Sequence, residues 1–281
     1  LWWGPQHAEI LLLIHLDTVW PKGSFLPLWQ VDGDRITAPG SFDMKAGFVQ
    51  AVYAIQGISG SVAMLCTTDE EVGSKASRAL IESSAKNARA VLVLEASING
   101  AVKTGRKGTA DFVIEVHGRA AHAGLEPEKG INATTEIAAI VIEVAKLANP
   151  EFGTTVVPTV MHAGTTTNTV PALATLDIDI RSYSATELIR VDSAMKNLVT
   201  THPEAKLKVT GGINRPPLEL SATSELYEIL EKVASEIGMA PIGQASVGGA
   251  SDGNFAAAAG ARVLDGLGAV GDGAHALHEQ I

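Results

Sequence analysis

Residues 10–19, Ile-Leu-Leu-Leu-Ile-His-Leu-Asp-Thr-Val, are the stretch from which the fold can be predicted. A continuous run of Leu and Ile of this length is typical of a strand buried in a parallel sheet. His15 and Asp17 come at its carboxyl end, and residues two apart on a strand point to the same side. In open α/β sheets, ligands bind at this end of the strands. The stretch alone leaves two roles open: a hydrogen-bonded strand end, or a metal-ligating histidine oriented by Asp17.

Two further apolar runs end in acidic residues. Residues 61–68 lead into Asp69-Glu70-Glu71, and residues 88–94 lead into Glu95. Neighbouring carboxylates repel one another unless cations are close. A solvated acidic turn is the simpler interpretation, but three strand ends carrying such groups together favour a cation site.

Asp43 and His275 extend this set of candidate ligands. Asp43 lies at the start of a helix predicted over residues 44–56, where it could cap the helix, bind a metal, or do both. Imidazoles combined with carboxylates suit borderline divalent metals, and zinc most of all. One bridging Asp, with a His and a further carboxylate on each side, would form a two-metal site with metals about 3.5–4 Å apart.

Composition limits the class of protein. The 281 residues are 46% hydrophobic, enough for a large core, and the net charge is −10. An acidic chain without a basic cluster argues against nucleic acid or an anionic membrane as partner, and we find no apolar run long enough to span a bilayer. The one cysteine, Cys66, lies in an apolar run and is expected to be a buried thiol.

The ends of the chain suggest a fragment. The sequence begins at Leu1 rather than Met and stops at Ile281, so we expect both ends of the protein to be missing. We expect a cytoplasmic location, and the missing start leaves a secretory signal open.

The pattern changes after Lys103. Residues 111–117 alternate like a strand with one exposed face, and the segments that follow complete the order β-α-β-β-α-β. This order is that of a ferredoxin-like α+β sandwich. We therefore predict an α/β catalytic domain, formed by residues 1–106 and 215–281, with an inserted lid formed by residues 107–214.

Several motifs together resemble one enzyme family, that of carboxypeptidase G (glutamate carboxypeptidase), acetylornithine deacetylase, succinyl-diaminopimelate desuccinylase and aminoacylase. These are dizinc metallopeptidases and amidohydrolases, and the motifs occur in the family's order across nearly the whole chain. They are His15-Leu-Asp17-Thr-Val, Gly40-Ser-Phe-Asp43-Met-Lys-Ala-Gly47, Thr68-Asp-Glu70-Glu71-Val-Gly73, Ala121-His122-Ala-Gly124, Asn168-Thr-Val-Pro171, Asp179-Ile-Arg181, Gly248-Gly249-Ala-Ser-Asp252, and Ala274-His275 with Glu279.

The resemblance implies a fold and a set of roles. The fold would be a zinc-aminopeptidase-like domain, a mostly parallel sheet with helices on both faces, carrying an inserted lid and dimerisation domain. Two zinc ions, replaceable by Co²⁺ or Mn²⁺, would be bound through a bridging carboxylate. The implied ligands are His15 and Glu95 for one metal, Glu71 and His275 for the other, and Asp43 for both.

The same resemblance assigns the proton transfer and the substrate contacts. Asp17 would orient His15, and Glu70 would be the general base, passing a proton from water to the leaving amine. His122 would stabilise the oxyanion in the partner subunit's active site, which implies a homodimer formed through the lid. The substrate carboxylate would be bound by Asn168, Arg181 and the backbone of Gly248 and Gly249.

The predicted activity is hydrolysis of an amide bond next to a free carboxylate, with release of a C-terminal glutamate or a similar amino acid. A deacylase of N-acetyl or N-succinyl amino acids with the same chemistry is the alternative within this family. The alternative outside the class of active enzymes is an inactive metal-binding relative or a truncated fragment.

Overall fold

The computed structural model describes residues 1–58 and 60–281, and the chain forms two compact units. The first unit comprises Leu1–Arg106 and Pro217–Ile281, and the inserted unit comprises Lys107–Pro216. The second crossing between the units thus falls after Pro216, rather than after residue 214 as the sequence suggested.

The described residues form β-strands and α-helices along both units. The strands are β1 (Trp2–Trp3), β2 (Ile10–His15), β3 (Gln30–Asp32), β4 (Arg35–Thr37), β5 (Val62–Thr67), β6 (Ala90–Val93), β7 (Val102–Arg106), β8 (Gly108–His117), β9 (Thr155–Ala163), β10 (Leu173–Ser182), β11 (Lys206–Arg215), β12 (Gln244–Val247) and β13 (Val263–Leu264). The α-helices are α1 (Ala46–Ala54), α2 (Arg78–Asn87), α3 (Ala133–Ala145), α4 (Ala185–Lys196), α5 (Leu220–Glu236) and α6 (Asp252–Ala258).

The main sheet of the first unit has the strand order β1-β5-β2-β6-β13. Strands β5, β2, β6 and β13 are parallel, and β1 pairs antiparallel to β5. Leu11 and Leu13 of β2 pack in the cluster that holds residues of α2 and α6, whereas Leu12 and Ile14 pack in the cluster that holds a residue of α1. Because helices cover both faces, β2 is apolar from Ile10 to Ile14. The predicted mostly parallel sheet with helices on both faces is confirmed.

The inserted unit contains an antiparallel sheet with the strand order β11-β8-β10-β9. Helices α3 and α4 belong to the same unit. Buried residues alternate with exposed ones along β8, and the buried ones join the core with Ile137 of α3 and Val191 of α4. The predicted β-α-β-β-α-β order and the ferredoxin-like sandwich are confirmed. None of the described helices is long and apolar enough to cross a membrane.

Two helices begin after irregular segments. Helix α2 begins only at Arg78, because residues 70–72 form a short 3₁₀ helix and Ser74 has a positive φ of 52°. The helix expected from residue 44 begins at Ala46, after a single π-turn over Ser41–Lys45. Both irregular segments carry candidate ligands, so here local structure departs from simple propensity.

Candidate metal centre

The carboxyl ends of β2, β5 and β6 carry the predicted polar residues. His15 is the last residue of β2, Glu70 and Glu71 lie on the 3₁₀ helix that follows β5, and Glu95 comes two residues after the end of β6. Because these parallel strands are neighbours in the sheet, their ends meet at the same edge.

One group of ligand atoms consists of His15, Asp43 and Glu95. The His15 Nε2 atom lies 3.1 Å from Asp43 Oδ1 and 3.6 Å from Glu95 Oε1. His15 is buried, with 2% of its surface exposed. The ring nitrogen that a metal would need therefore faces two carboxylates in the protein interior.

The second group consists of Asp43, Glu71 and His275. His275 Nε2 lies 3.3 Å from Asp43 Oδ2 and 3.2 Å from Glu71 Oε2. Asp43 thus presents one oxygen to each group, which is the arrangement of a bridging carboxylate. The structure brings together all five residues predicted as metal ligands, in the two predicted groups.

The separations fit zinc. With metal–ligand bonds of about 2.0–2.1 Å, tetrahedral coordination places ligand atoms about 3.3–3.4 Å apart. The four measured separations between imidazole nitrogens and carboxylate oxygens lie between 3.1 and 3.6 Å. One histidine and two carboxylates in each group also form a donor set that zinc accepts.

The electrostatics of the groups favour a positive charge between the carboxylates. Burial alone would lower the pKa of His15, but hydrogen bonds to Asp17 and Asp43 and the nearby charge of Glu95 raise this pKa to about 12. Burial raises the pKa of Glu71, and the negative charge of Asp43 raises it further. The carboxylates therefore repel one another and bind a proton where no other cation is present.

Asp17 contacts both His15 and the turn that carries Glu71. His15 Nδ1 lies 3.1 Å from the Asp17 carbonyl oxygen and 3.5 Å from Asp17 Oδ1, and the backbone N–H of Glu71 donates to Asp17 Oδ2 at 3.0 Å. Among the described residues, Asp17 Oδ1 is a buried oxygen without a hydrogen-bond partner. When Nδ1 carries its proton toward Asp17, the other ring nitrogen, Nε2, has its lone pair available for a metal. This is the usual arrangement of a metal-binding histidine.

Glu95 lies in a cluster of charged side chains for which the sequence predicted no role. The cluster consists of Lys103, Arg106 and Asp265. Arg106 donates two hydrogen bonds to Asp265, of 2.8 and 3.0 Å, and one of 3.0 Å to Glu95 Oε2. Lys103 Nζ lies 3.7 Å from the same Glu95 oxygen. One oxygen of Glu95 is therefore bound by cations of the protein, and the other faces His15.

The predicted backbone-donor turn lies beside the same arginine. Arg106 Nη1 donates to the carbonyl oxygens of Gly249 and Ala250, at 3.1 and 3.3 Å. A Cβ at Gly248 or Gly249 would meet no atom within 4 Å, so space remains next to this turn.

Asp252 is the first residue of α6 and not its N-cap. Ser251 is the N-cap of α6, and its side chain accepts from the N–H of Gly253. Asp252 is buried and accepts hydrogen bonds from the hydroxyls of Thr67 and Ser74. It therefore ties the end of β5 to the segment that follows Glu70 and Glu71.

The remaining predicted residues lie on the inserted unit. His122 is exposed, and its Nδ1 accepts from the N–H of Gly124 at 3.1 Å, which assigns the ring proton of a neutral imidazole to Nε2. The carbonyl oxygen of Asn168 accepts from the N–H of Ala123, so Asn168 and His122 are neighbours. The guanidinium of Arg181 is paired with Asp179 at 3.0 Å.

Known proteins resemble this chain in sequence. Residues 104–206 match the model of a peptidase dimerisation domain named for the M20 family. Carboxypeptidase G2 of Pseudomonas sp. (strain RS-16) is 32% identical over 290 residues, which cover 97% of this chain and 69% of that protein. A succinyl-diaminopimelate desuccinylase of Sulfurovum sp. (strain NBC37-1) is 28% identical, and the alignment covers 95% of this chain and 77% of that protein.

Solved structures share the fold. Aminopeptidase PepT of Bacillus cereus superimposes with a TM-score of 0.75 at 21% identity, over 100% of this chain and 78% of that one. The M20 family metallo-carboxypeptidase Sso-CP2 of Sulfolobus solfataricus has a TM-score of 0.62 at 17% identity, over 98% of this chain and 80% of that one. At these identities the likeness concerns the fold.

Proposed function

Because the chain belongs to the M20 family of peptidases, we propose that it is a dizinc exopeptidase that cleaves an amide bond next to a free carboxylate. The preferred product is a C-terminal glutamate or a similar amino acid, as in the action of a carboxypeptidase. The observation that carries this proposal is the pair of ligand groups that share Asp43, since a bridging carboxylate with one histidine on each side is the arrangement of a two-metal hydrolase.

Each residue of the centre has a role in the proposal. His15 and Glu95 would hold one zinc, Glu71 and His275 would hold the other, and Asp43 would contribute to both sites. When bound, zinc supplies Lewis acidity at the scissile carbonyl and lets water lose a proton near neutral pH. Co²⁺ and Mn²⁺ are possible substitutes, because the same nitrogen and oxygen donors accept them.

Glu70 is the general base. It directly precedes Glu71 on the same 3₁₀ helix, so a carboxylate that carries protons lies beside one that binds metal. Its carboxylate takes a proton from the attacking water and passes it to the nitrogen of the leaving amine. Asp17 holds the ring of His15 so that Nε2 faces the metal.

The substrate is bound by the backbone turn at Gly248 and Gly249 and by residues of the inserted unit. Nε2–H of His122 donates to the oxyanion, Asn168 lies beside His122, and Arg181 binds the substrate carboxylate. Because Asp179 already pairs with Arg181, an incoming carboxylate shares or displaces Asp179, so the affinity gained from this arginine is reduced by that competition.

His122 acts in the active site of a partner subunit, in a homodimer formed through the inserted unit. The edge strand β9 supports this interface. It pairs with β10 along one edge, no other described strand pairs with it, and Val157, Val160 and Met161 on it are exposed. Edge strands with exposed apolar residues are available for pairing with a second chain.

The alternative substrate is an N-acetyl or N-succinyl amino acid, and the likeness to the desuccinylase favours it as second candidate. Metal content by elemental analysis, measured together with hydrolysis of folyl-glutamate, N-acetyl-ornithine, N-succinyl-diaminopimelate and a dipeptide, tests both. Two zinc ions per chain with folyl-glutamate preferred supports the proposal, and preference for an acylated amino acid selects the alternative. A folded protein that binds no metal contradicts both.

Two variants test the assigned roles. Glu70→Gln is expected to retain both metals and lose nearly all turnover, and substantial remaining activity would remove Glu70 from the role of base. His122→Ala is expected to lose about 10²–10³ in kcat, as for other oxyanion donors. Mixing the two inactive variants is expected to restore part of the activity in heterodimers, whereas no rescue after verified subunit exchange would contradict action across the dimer.

A further inference from the structure

Glu279 is a buried carboxylate bound entirely by backbone N–H groups of another segment. Its Oε2 accepts from the N–H of Gly40 at 2.8 Å, and its Oε1 accepts from the N–H groups of Phe42 and Asp43 at 3.0 and 2.9 Å. Only 1% of its surface is exposed. Both oxygens are used in these bonds, so Glu279 is not itself placed as a metal ligand.

The segment that Glu279 binds is the one that carries the bridging Asp43. Asp43 and Met44 have non-helical backbone angles, and α1 begins only at Ala46. The N–H groups of Phe42 and Asp43 therefore lie outside a regular helix, and a buried N–H needs an acceptor from elsewhere. Glu279 supplies that acceptor, and because it is charged each bond is stronger than one to a neutral oxygen.

Glu279 also lies four residues after His275, on a tightly turned segment. The N–H of Ala276 donates to Gly273, and the N–H of Glu279 donates to Ala276. His275 has a positive φ of 63°, so its backbone is held in a conformation that side chains seldom adopt. The position of the imidazole is thus tied to the position of Glu279.

One carboxylate therefore connects the two segments that provide Asp43 and His275, whose ligand atoms lie 3.3 Å apart. We propose that Glu279 is a positioning residue that sets this separation, and thereby the metal affinity of the site formed by Asp43, Glu71 and His275. This inference rests on the proposed two-metal centre. Glu279 would lower the reorganisation needed for binding, as other groups do that orient metal ligands.

A role limited to holding the fold is the competing explanation, and Glu136 provides a matched control. Glu136 lies in the inserted unit, is 4% exposed, and also accepts three hydrogen bonds, from the N–H and hydroxyl of Thr201 and from the N–H of His202. Glu279→Gln and Glu136→Gln remove the same charge from equally enclosed carboxylates. Of these two residues, only Glu279 lies beside the predicted metal ligands.

The experiment is a titration of the metal-free chain of 281 residues with Co²⁺, followed by calorimetry and by the visible absorption of the bound metal. His275→Ala identifies which binding step belongs to the site in question. Glu279→Gln is expected to weaken that step about 10–100-fold and change its absorption band. The step assigned to His15 and Glu95 is expected to remain, and Glu136→Gln is expected to bind both metals like the wild type.

The outcomes separate the inference from the proposed function. Wild-type affinities in folded Glu279→Gln, or equal losses in both Gln variants, would overturn the role of Glu279 and leave the two-metal centre intact. A wild-type chain that binds no metal would overturn the proposed function itself. If Glu279→Gln does not fold, Glu279→Asp, which keeps the charge on a shorter side chain, is expected to weaken the same step, and wild-type affinity there would contradict the inference.

Discussion

Replacing Arg106 by methionine is expected to destabilise the first unit severely. The guanidinium is 4% exposed, and it pairs with Asp265, which has no exposed surface, and with Glu95. Burial alone would lower the pKa of Arg106, but the charges of both carboxylates raise it above its usual value, so this cation stays protonated at any pH of interest. Methionine replaces the apolar stem of the arginine and removes the charge together with the side-chain hydrogen bonds.

The size of the stability loss depends on the partners that Asp265 and Glu95 keep after the substitution. Asp265 keeps a hydrogen bond of 2.7 Å from the Ser251 hydroxyl, and Glu95 keeps Lys103 at 3.7 Å. Leaving one member of a buried ion pair without its partner costs about 3–5 kcal/mol. Since both carboxylates keep one partner, we expect the lower end, about 3 kcal/mol, which is a large share of the stability of a typical domain.

Urea unfolding of the metal-free protein, followed by tryptophan fluorescence, measures this loss in the unit concerned. The four tryptophans, residues 2, 3, 20 and 29, all belong to the first unit. With a urea m-value of about 2–3 kcal/mol/M, a loss of about 3 kcal/mol lowers the midpoint by about 1–1.5 M.

Arg89 is the matched control for this measurement. It pairs with Glu9 at 3.5 Å in the same unit, but both side chains are mostly exposed, at 75% and 62%. Exposed pairs contribute about 0–1 kcal/mol, so Arg89→Met should shift the midpoint little. If Arg106→Met and Arg89→Met shift the midpoint equally, the buried arginine is not what stabilises the acidic residues around it.

Three further predictions concern stability. Burial alone would raise the pKa of Glu136, but hydrogen bonds from residues 201–202 lower it. Glu136→Gln should therefore lose about 2 kcal/mol at neutral pH, and the difference should shrink as the pH falls below about 4.3, measured by thermal unfolding with circular dichroism. Gly47→Ala would place a Cβ 2.1 Å from the Leu94 carbonyl oxygen and should lower the free energy of unfolding by about 1–3 kcal/mol. A Cβ at Gly57 would meet open space, but the residue has a positive φ of 78°, so Gly57→Ala should lower it by about 1 kcal/mol. Chelation should lower the melting temperature reversibly, because free metal at about 100 times its Kd adds about 2.7 kcal/mol.

The sequence predicted those features that depend on local pattern. Strand β2 was recognisable because helices cover both faces of its sheet, which favours the continuous apolar run from Ile10 to Ile14. Strand β8 was recognisable because only one face is buried, which produces alternation. His15 was identifiable because it is the polar last residue of such a strand, at the edge where ligands bind.

Features that depend on distant partners were not predictable. Arg106 and Asp265 are 159 positions apart, and nothing in the sequence around Arg106 distinguishes it from a surface charge. Asp252 accepts a hydrogen bond from the hydroxyl of Thr67, 185 positions away. Nothing in the sequence around Asp252 indicates this partner.

The carboxylates near the ends of the strands fall into two classes that only the structure can separate. In Glu279 and Asp265, both oxygens accept hydrogen bonds from the protein. Because both oxygens of such a group are already hydrogen-bonded, the group needs no metal ion to be buried.

Asp43, Glu71 and Glu95 belong to the other class, because each directs an oxygen at an imidazole nitrogen that also faces a second carboxylate. Of the cations in this region, Arg106 and Lys103 both contact Glu95, on the oxygen turned away from His15. The repulsion among these three carboxylates is therefore relieved by a positive charge between their oxygens, whether a proton or a metal ion. Two divalent cations that share Asp43 can together contact all three carboxylates, which a proton on one histidine cannot do. That difference is the physical reason to interpret this edge of the sheet as a metal centre rather than as hydrogen-bonded strand ends.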